Sequence, residues 1–322
     1  MNIALATDEN YLHLVHIALR SLFATNRGDI TIHLLTNNVS DVGIRGVQRL
    51  VDNEGGLLKV YSIGNLREML GIDVPATISI TSYARLFLPS ILPLEVEKVL
   101  YIDCDILFTD NIRPFYDTEL ENTLVGGVQD LLLCGIYRNE IGISSTEPYF
   151  NAGILLIPLK LWRQENLQQS FLDYLLAHNG NVFHHDQGII NAVCAGRKTV
   201  CPPRYNVISN YFTYPYSILK KTSSLQYTKE VYYEARKHPA IIHYTGVIYG
   251  RPWENVCCHP YKDLFNVYKA STIYKNLPLK HIELSPIAEL ECRMYHALPF
   301  WAYTLFIKAL FCASHIKHKF QK

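Results

Sequence analysis

The stretch that decides the fold is Lys98-Val99-Leu100-Tyr101-Ile102-Asp103-Cys104-Asp105. Its apolar part, Lys98–Ile102, is short, aromatic and β-branched, which is typical of a buried strand. Residues two apart in an extended chain project to the same face, so Asp103 and Asp105 would leave the strand end together. Such a pair attracts hard cations like Mg²⁺ or Mn²⁺, especially when a diphosphate adds oxygens. Two solvated turn residues would give the same pattern, so the pair alone does not establish a metal site.

Other segments of the chain alternate between strand-like and helix-like apolar periods. The predicted strands are Asn2–Thr7, Ile30–Thr36, Leu58–Ser62, Lys98–Ile102, Leu124–Val128, Ile154–Ile157 and Ala240–Tyr244. The predicted helices are Tyr11–Ala24, Val42–Val51, Leu167–Ala177 and Gly188–Ala195. This alternation predicts an α/β fold, a mostly parallel sheet flanked by helices, with ligands at the carboxyl ends of the strands.

Composition narrows the class of protein. The 322 residues are 49% apolar and 18% charged, as expected of a globular chain. A formal net charge of +1 provides no basic field, so we expect no nucleic-acid partner. The eight cysteines form no Cys-x-x-Cys pair, which favours a reducing compartment. No basic residue precedes Arg20, and Asp8 and Glu9 come early, so we expect no signal peptide and a cytoplasmic location.

Polar residues end two more of the predicted strands. His243 follows Ile241 and Ile242 and is a candidate third ligand, although a lone histidine is more often structural. An imidazole beside two carboxylates would favour Mn²⁺ over Mg²⁺. Asp8 and Asn10 follow the first strand, where an α/β sheet binds a base or a ribose. Asp8 acting only as a helix N-cap is the blander interpretation.

Some motifs are absent and others are ambiguous. Neither Gly-x-Gly-x-x-Gly nor Gly-x-x-x-x-Gly-Lys-Ser/Thr occurs, which argues against a dehydrogenase and against a P-loop protein. Asn151-Ala152-Gly153 and His185-Asp186-Gln187 are polar clusters beside apolar segments. We expect Asp186 to be able to N-cap the helix that follows. His184, His185 and Asp186 also allow a metal-dependent hydrolase, but further ligands at a matching spacing are lacking.

Taken in order along the chain, these motifs resemble those of the family-8 retaining glycosyltransferases, and among them the bacterial lipooligosaccharide α-galactosyltransferases. The resemblance covers about residues 1–270. The matching stretches are Ala6-Thr-Asp-Glu-Asn-Tyr11, Ile80-Thr-Ser-Tyr-Ala-Arg-Leu86, Lys98-Val-Leu-Tyr-Ile-Asp-Cys-Asp-Ile-Leu107, Tyr149-Phe-Asn-Ala-Gly-Ile-Leu-Leu156, His185-Asp-Gln187 and His243-Tyr-Thr-Gly246.

The resemblance implies a GT-A fold, a UDP-hexose donor and Mn²⁺, with Mg²⁺ as the alternative cofactor. It implies that the metal ligands are Asp103, Asp105 and His243. The donor-binding residues that we predict with it are Ala6, Asp8, Asn10, Arg85, Asp103, Asn151, Ala152, Gly246 and Arg251. The candidate catalytic residues are Gln187, Asp186 and Asp130, the last of which follows the predicted strand Leu124–Val128.

Several positions depart from the family's pattern. Arg251 stands where relatives often carry a lysine on the diphosphate, and an arginine binds phosphate with a different geometry. Gly188 replaces an acidic residue of the galactosyltransferase relatives, so no carboxylate at this position can act as nucleophile. We therefore favour front-face attack, in which the departing phosphate serves as base. Thr77, His184 and Thr245 also differ from the relatives, so the acceptor is not carried over.

The function expected from the sequence is transfer of a hexose from a UDP-sugar to a saccharide acceptor. Galactose is favoured, glucose comes next, and the acceptor belongs to lipopolysaccharide, lipooligosaccharide or another cell-surface glycan. One alternative is a self-glucosylating initiator like glycogenin, with one of the 22 tyrosines as acceptor. Another is a non-catalytic nucleotide-sugar-binding protein, which would have no need of a complete metal site.

The C-terminal part differs in composition, so we predict a catalytic domain over residues 1–270 and a helical tail over 271–322. Aromatic and aliphatic residues of the tail alternate with Lys and His, which suits a helix lying on anionic lipid at the inner membrane. Its apolar stretch is interrupted by Lys308 and is shorter than the roughly 20 residues of a spanning helix. A lipid-linked acceptor would explain such an anchor; a terminal helix packed on the core is the alternative.

Overall fold

The computed structural model describes residues 1–73, 80–131, 136–223, 225–246, 248 and 250–319. Within these residues the strands are β1 (Asn2–Asp8), β2 (Thr31–Asn37), β3 (Leu57–Ser62), β4 (Val99–Ile102), β5 (Ile106–Phe108), β6 (Val125–Gln129), β7 (Phe150–Ile157), β8 (Lys198–Val200), β9 (Val207–Ile208) and β10 (Ile241–His243).

The helices of the same part of the chain are α1 (Leu12–Thr25), α2 (Asp41–Asn53), α3 (Leu66–Leu70), α4 (Leu88–Ile91), α5 (Arg113–Tyr116), α6 (Ile136–Glu140), α7 (Leu159–Gln164), α8 (Leu167–Ala177), α9 (His185–Val193), α10 (Asn210–Thr213), α11 (Tyr216–Thr222), α12 (Lys229–Lys237), α13 (Lys262–Ala270), α14 (Pro286–Ala297) and α15 (Phe300–Lys319). Three 3-10 helices occupy Glu9–Tyr11, Ile80–Phe87 and Pro203–Tyr205.

The main sheet has seven strands in the order β3-β2-β1-β4-β7-β6-β8. Its first four strands run parallel, as do β6 and β8, whereas β7 runs antiparallel to both of its neighbours. This arrangement confirms the predicted mixed, mostly parallel sheet. The carboxyl ends of β1 and β4 lie side by side because Ile3 pairs with Leu100 in a parallel register.

The strands β1, β2 and β4 are covered on both faces: successive side chains of a strand point to opposite faces, and each face of the sheet carries its own apolar cluster. On β1, Ile3 belongs to the apolar cluster that contains α1 and α2, and Ala4 belongs to the cluster that contains α7 and α8. On β4, Leu100 belongs to the first of these clusters and Tyr101 to the second. Strands buried on both faces read as the unbroken apolar runs seen in the sequence.

A second, small sheet in the order β5-β10-β9 lies beside the first and was not predicted. β10 runs antiparallel to β5, with His243 opposite Ile106. β9 joins β10 in parallel. Because β5 begins directly after Asp105, this pairing brings the end of β10 to the end of β4.

The C-terminal helices lie against the rest of the chain over part of their length. Tyr303 and Ile307 of α15 are buried in the same apolar cluster as α1. Trp301 and Leu305, on another face of this helix, are 70% and 60% exposed. Among the described residues no helix is both long enough and apolar enough to cross a membrane. The predicted domain boundary between residues 270 and 271, just after α13, stays a prediction.

Candidate active site

The three predicted metal ligands converge at the junction of the two sheets. Asp103 follows β4, Asp105 precedes β5 and His243 ends β10. Nε2 of His243 lies 3.2 Å from Oδ1 of Asp105 and 4.0 Å from Oδ2 of Asp103. One ligand atom of each residue lies within 4.8 Å of the others, and among the described residues no other His, Cys, Asp and Glu side chains group in this way. Two carboxylates and one imidazole are a donor set that suits Mn²⁺.

Gly153, on β7, leaves the space that this cluster needs. A Cβ atom at this position would lie 2.3 Å from Cε1 of His243 and 2.7 Å from Oδ2 of Asp103. Real Cβ contacts essentially never come below 3.0 Å, so a side chain here would push the ligands apart. The backbone carbonyl of Gly153 also accepts a hydrogen bond of 2.7 Å from the amide of Asp103. The fit of the three ligands to a cation therefore depends on a glycine facing them.

Asn206 orients His243 and was missed from the sequence. Nδ1 of His243 lies 3.1 Å from Oδ1 of Asn206, and Nδ2 of Asn206 donates to Oδ1 of Asn151 over 2.9 Å. With the Asn206 amide placed this way, Nδ1 of the imidazole is the donor and Nε2 carries the lone pair that faces Asp105. Metal-binding histidines commonly use their second nitrogen in this manner. Asn206 lies in a loop just before the two-residue strand β9, where no apolar period marks it.

The charges of the cluster are strongly coupled. Burial by itself raises the pKa of Asp105, but the neighbouring His243 and then Arg251 bring it below its ordinary value. Burial by itself lowers the pKa of His243, but Asp105 and Asp103 bring it above its ordinary value. The two carboxylates thus create a negative potential at the imidazole, and a cation between the three groups would be favoured by the same potential.

Arg85 forms ion pairs with two carboxylates of the site, those of Asp103 and Asp186. The side chain is buried. Its Nη2 lies 2.9 Å from Oδ1 of Asp103, and its Nε lies 3.0 Å from Oδ2 of Asp186. Its Nη1 donates to the carbonyl of Ala152, and its guanidinium lies 4.4 Å from the centroid of the Tyr101 ring. Burial would lower the pKa of Arg85, but Asp103 and Asp186 raise it above its usual value. Because its N–H groups are engaged within the protein, Arg85 fixes the positions of these two acids.

The N-cap role predicted for Asp186 is wrong. α9 begins at His185, three residues before the predicted start, so Asp186 lies inside its first turn. His184 occupies the N-cap position with φ 56° and makes no capping bond through its side chain. The carboxylate of Asp186 turns to Arg85 instead, and burial raises its pKa although Arg85 opposes the shift. His184 and His185 both adopt left-handed backbone conformations, which are uncommon for residues other than glycine.

A network of amides connects two of the candidate catalytic residues, Gln187 and Asp130, to β7. Oε1 of Gln187 accepts from the amide of Ala152 over 2.9 Å, and its Nε2 donates to Oδ2 of Asp130 over 3.0 Å. Asn151 donates to the same Asp130 oxygen over 3.2 Å. Asp130 follows β6 and is buried. Gln187 is therefore held in one orientation by hydrogen bonds at both ends of its amide.

Gly188 has a structural reason to be a glycine. A Cβ atom here would lie 1.9 Å from the backbone carbonyl oxygen of Phe183. An acidic side chain cannot be accommodated without displacing the backbone that carries His184 and His185. The local geometry of this chain thus excludes a carboxylate at position 188, where the family resemblance would lead one to expect an acidic residue.

Two adjoining cavities open over these residues. The first, of about 240 Å³, is lined by Ala6, Thr7, Asp8, Tyr11, Thr81, Ser82, Arg85, Tyr101, Asp103, Cys104 and Asp105. The second, of about 440 Å³, is lined by Ser82, Arg85, Asp103, Asp105, Asp130, Asn151, Ala152, Gly153, His184, His185, Asp186, Gln187, His243 and Thr245. Since Arg85, Asp103 and Asp105 line both, the predicted metal cluster lies where the two cavities meet. Thr77 lies outside the described residues.

Residues of the first turn shape one end of the first cavity. Oδ1 of Asp8 accepts hydrogen bonds from the amides of Asn10 and Tyr11, so Asp8 has the helix N-cap role that the sequence also allows. Asp8 also lines the cavity, so capping does not remove it from the site. Asn10 instead lines a neighbouring cavity. Tyr11, which we did not single out, places an aromatic ring on the wall of both.

Gly246 and Arg251 lie in the loop that follows β10. Gly246 has φ +94°, a conformation that other residues rarely adopt. Arg251 is partly exposed; its amide donates to the buried carboxylate of Glu254 over 2.9 Å, and its guanidinium lies 5.8 Å from the ring centroid of Trp253. Its charge lowers the pKa of Asp105, against the effect of burial, so a cationic group lies close to the three predicted metal ligands.

Comparison with known proteins gives a consistent result. The model of the family described as glycosyl transferase family 8 matches residues 2–257. General stress protein A of Bacillus subtilis (strain 168) is 29% identical over 301 residues, which are 86% of this chain and 96% of the relative. Lipopolysaccharide 1,2-glucosyltransferase of Escherichia coli (strain K12) is 22% identical, over a match that covers 92% of this chain and 91% of the relative.

Among solved structures, the galactosyltransferase LgtC in complex with donor and acceptor sugar analogs is similar. It is 28% identical with a TM-score of 0.73, over 85% of this chain and 96% of LgtC. This likeness confirms the GT-A fold expected from the sequence.

Proposed function

The chain belongs to glycosyltransferase family 8, and on that premise we propose that it transfers a hexose from a UDP-sugar to a saccharide with retention of configuration. The observation that carries this proposal is the cluster of Asp103, Asp105 and His243, open to the junction of two cavities. Galactose is the favoured hexose, with glucose next. The named relatives include a glucosyltransferase and a galactosyltransferase, which supports a hexose as a class.

We propose Mn²⁺ as the cofactor, with Mg²⁺ as the alternative. The ion would act as a Lewis acid and as counter-charge for the diphosphate that leaves the sugar. Asp103, Asp105 and His243 would hold it, and Gly153 gives it room. In the same proposal, Gly246 lies against the diphosphate, and the guanidinium of Arg251 adds positive charge beside it.

The remaining residues bind and orient the donor. Ala6 and Asp8, with Asn10 beside them, would hold the uridine. Asn151, Ala152 and Arg85 lie around the second cavity, where the hexose would be bound. Asp186 would accept hydrogen bonds from sugar hydroxyls, because its carboxylate is fixed by Arg85 at the cavity wall.

Front-face attack is the proposed route to retention. The amide of Gln187 is a poor nucleophile, and both of its ends are hydrogen bonded to Ala152 and Asp130. Gly188 offers no carboxylate. The acceptor hydroxyl would therefore attack on the face that the diphosphate leaves, and a departing phosphate oxygen would take its proton. The transition state has oxocarbenium character, as in other glycosyl transfers.

The acceptor proposed is a saccharide of lipopolysaccharide, lipooligosaccharide or another surface glycan. A relative named as a lipopolysaccharide glucosyltransferase supports this choice. We propose further that the exposed face of α15, with Trp301 and Leu305, rests on the cytoplasmic surface of the inner membrane, where a lipid-linked acceptor would be found.

The test is UDP release from a panel of UDP-hexoses, with Mn²⁺ and with EDTA, followed by mass spectrometry of the protein. Mn²⁺-dependent release from one donor, without added mass on the chain, supports the proposal and names the hexose. Hexose units added to a tyrosine would instead indicate a self-glucosylating initiator. Tight UDP binding with no turnover, even with glycan acceptors, would indicate a binding protein.

A further inference from the structure

A further cavity, of about 560 Å³, lies between α1, α2 and the turn after α13. This volume is within the roughly 300–1,000 Å³ typical of small-ligand sites. Its lining consists of His16, Arg20, Val42, Arg45, Gly46, Arg49, Leu50, Asn53, Ser271, Thr272 and Ile273. Three arginines and no acidic residue are among them, and none of these residues lines the two cavities of the candidate active site.

Two of the arginines are available to a ligand. Arg45 and Arg49 are four residues apart on α2 and so share one face of that helix. Both are exposed, and neither has an ion pair or hydrogen bond with the described residues. Arg20 differs, because it pairs with Glu54 and donates to Oγ of Ser271 over 3.4 Å. Arg20 thus ties two walls of the cavity together and leaves the other two guanidinium groups free.

The inner wall of the cavity carries a buried nitrogen without a partner. His16 is 2% exposed, and its Nε2 has no hydrogen bond to any described residue. Its ring packs edge-on against Tyr274, with centroids 5.0 Å apart. Gly46 and Ile273 also line the cavity, and a Cβ atom on Gly46 would lie 3.4 Å from this Nε2 and 3.4 Å from Cδ1 of Ile273, so the nitrogen lies directly behind this part of the cavity wall. A buried polar atom without a hydrogen bond lowers the stability of the fold, and a ligand that accepts from this nitrogen would remove that penalty.

We propose that this cavity binds a phosphoryl group through Arg45, Arg49 and Nε2 of His16. A planar carboxylate is satisfied by one guanidinium fork, whereas the oxygens of a tetrahedral phosphate accept from donors on several sides. The donors here come from α1 and α2, and the hydroxyls of Ser271 and Thr272 lie on the third wall. Burial lowers the pKa of His16 to about 4, so the ring is neutral near pH 7 and can donate one N–H to the anion.

The experiment is calorimetric titration of the full chain with inorganic phosphate at constant ionic strength. R45Q/R49Q should weaken binding at least about tenfold, since two charge-assisted contacts are lost. His16→Phe should weaken it as well, while keeping a ring against Tyr274. The matched control is R27Q/R67Q, which removes the same charge from two exposed arginines that have no described partner. Equal affinity in wild type, R45Q/R49Q and the control would overturn the proposal, as would no binding to the wild type.

A second arm separates the sources of the phosphate. Glucose 6-phosphate is compared with glucose, and phosphatidylglycerol vesicles with phosphatidylcholine vesicles. Loss of glucose 6-phosphate binding alone in R45Q/R49Q assigns the site to a soluble phosphate ester, such as a phosphorylated glycan. Loss of vesicle binding alone assigns it to a lipid head group. The proposal is independent of the transferase activity, so Mn²⁺-dependent UDP release should be unchanged in R45Q/R49Q.

Discussion

Nδ1 of His243 lies 3.1 Å from Oδ1 of Asn206, and this contact decides which nitrogen of the imidazole faces the carboxylates. Asn206 is itself oriented, because its Nδ2 donates to Asn151. The proposed metal site is thus held by residues of β7 and β10, of the turn between β4 and β5, and of the loop before β9. The arrangement of the three ligands therefore depends on the packing of several elements and not on the Asp-Cys-Asp stretch alone.

Removing this support should weaken metal binding without unfolding the chain. Asn206→Ala leaves Nδ1 of His243 without its acceptor, and losses of this kind typically lower metal affinity or activity about 10- to 100-fold. The measurement is the Mn²⁺ concentration for half-maximal UDP release. Asn206→Asp, which keeps an acceptor oxygen, is the control and should retain more of the affinity. An unchanged Mn²⁺ dependence in Asn206→Ala would show that the contact has no role in the site.

Gly153→Ala should be far more damaging than its size suggests. The new Cβ would lie 2.3 Å from Cε1 of His243, so the imidazole and Asp103 must move apart. Displacement of a catalytic geometry by about 1 Å can cost on the order of 100-fold in rate, and we expect a loss of that size. Gly64→Ala is the matched control, because its Cβ meets only Oγ of Ser62 at 4.0 Å. Equal turnover in the two variants would contradict the proposed role of Gly153.

Arg85 should contribute to stability as well as to activity. Arg85→Met leaves Asp103 and Asp186 without their shared cation, and breaking a buried pair of this kind typically costs about 3–5 kcal/mol. The free energy of unfolding in urea, measured in EDTA, checks this value. The double variant R85M/D186N removes one of the stranded charges and should recover part of the loss. If the double variant is no more stable than Arg85→Met, the coupling between these two residues is absent.

Stability should fall as the solution becomes acidic, partly because of His33. Burial, with a smaller effect from Lys59, lowers the pKa of His33 to about 4. The neutral ring contacts Tyr61 through Nδ1 and Asn2 through Nε2. Its pKa in the unfolded chain is about 6.5. Between that pH and about pH 4, the unfolded state therefore binds a proton at this histidine that the folded state does not bind.

The stability associated with His33 is therefore complete above pH 6.5 and is lost between about pH 6.5 and 4, amounting to about 3 kcal/mol. Urea unfolding at several pH values measures this slope. His33→Gln keeps a donor and an acceptor but does not titrate, so its slope should be shallower. Identical slopes for the two proteins would rule out the contribution.

The two faces of α15 should respond differently to substitution. Tyr303→Ala removes a ring buried in the core and should cost about 3 kcal/mol of folding free energy. Trp301→Ala and Leu305→Ala remove exposed side chains, so they should leave stability nearly unchanged and reduce binding to anionic vesicles. Vesicle co-sedimentation and thermal unfolding provide the two measurements. Unchanged co-sedimentation in the Trp301 and Leu305 variants would speak against the membrane-surface proposal.

The sequence predicted much of the main sheet because β1, β2 and β4 are buried on both faces and read as unbroken apolar runs. It also predicted that Asp103, Asp105 and His243 would meet, since each adjoins an apolar strand. The predicted strand Ala240–Tyr244 contains β10, but the small sheet around it escaped prediction because β5 and β9 have only three and two residues. Strands of that length show no period, and it is their long-range pairing that defines them.

The missed parts of the site have the same cause. Asn206 orients a histidine that is 37 positions away, and none of its sequence neighbours indicates a contact with His243. Gly153 matters because of what its missing Cβ would touch, which depends on β7 lying next to β4. Asp186 has the composition of an N-cap, yet its partner is Arg85 across the site. In each case tertiary packing, and not a local pattern, decides the role of the residue.

The most direct test of the account compares UDP release by wild type, Asp105→Asn and Asp110→Asn with a UDP-hexose and Mn²⁺, and with EDTA. Asp110 pairs with Arg204 on the surface, so Asp110→Asn removes the same charge outside the cluster. We predict Mn²⁺-dependent turnover in wild type and Asp110→Asn, and its loss in a folded Asp105→Asn. Full Mn²⁺-dependent turnover by Asp105→Asn, or turnover by the wild type that persists in EDTA, would contradict the central claim that this cluster holds the cation used in hexose transfer.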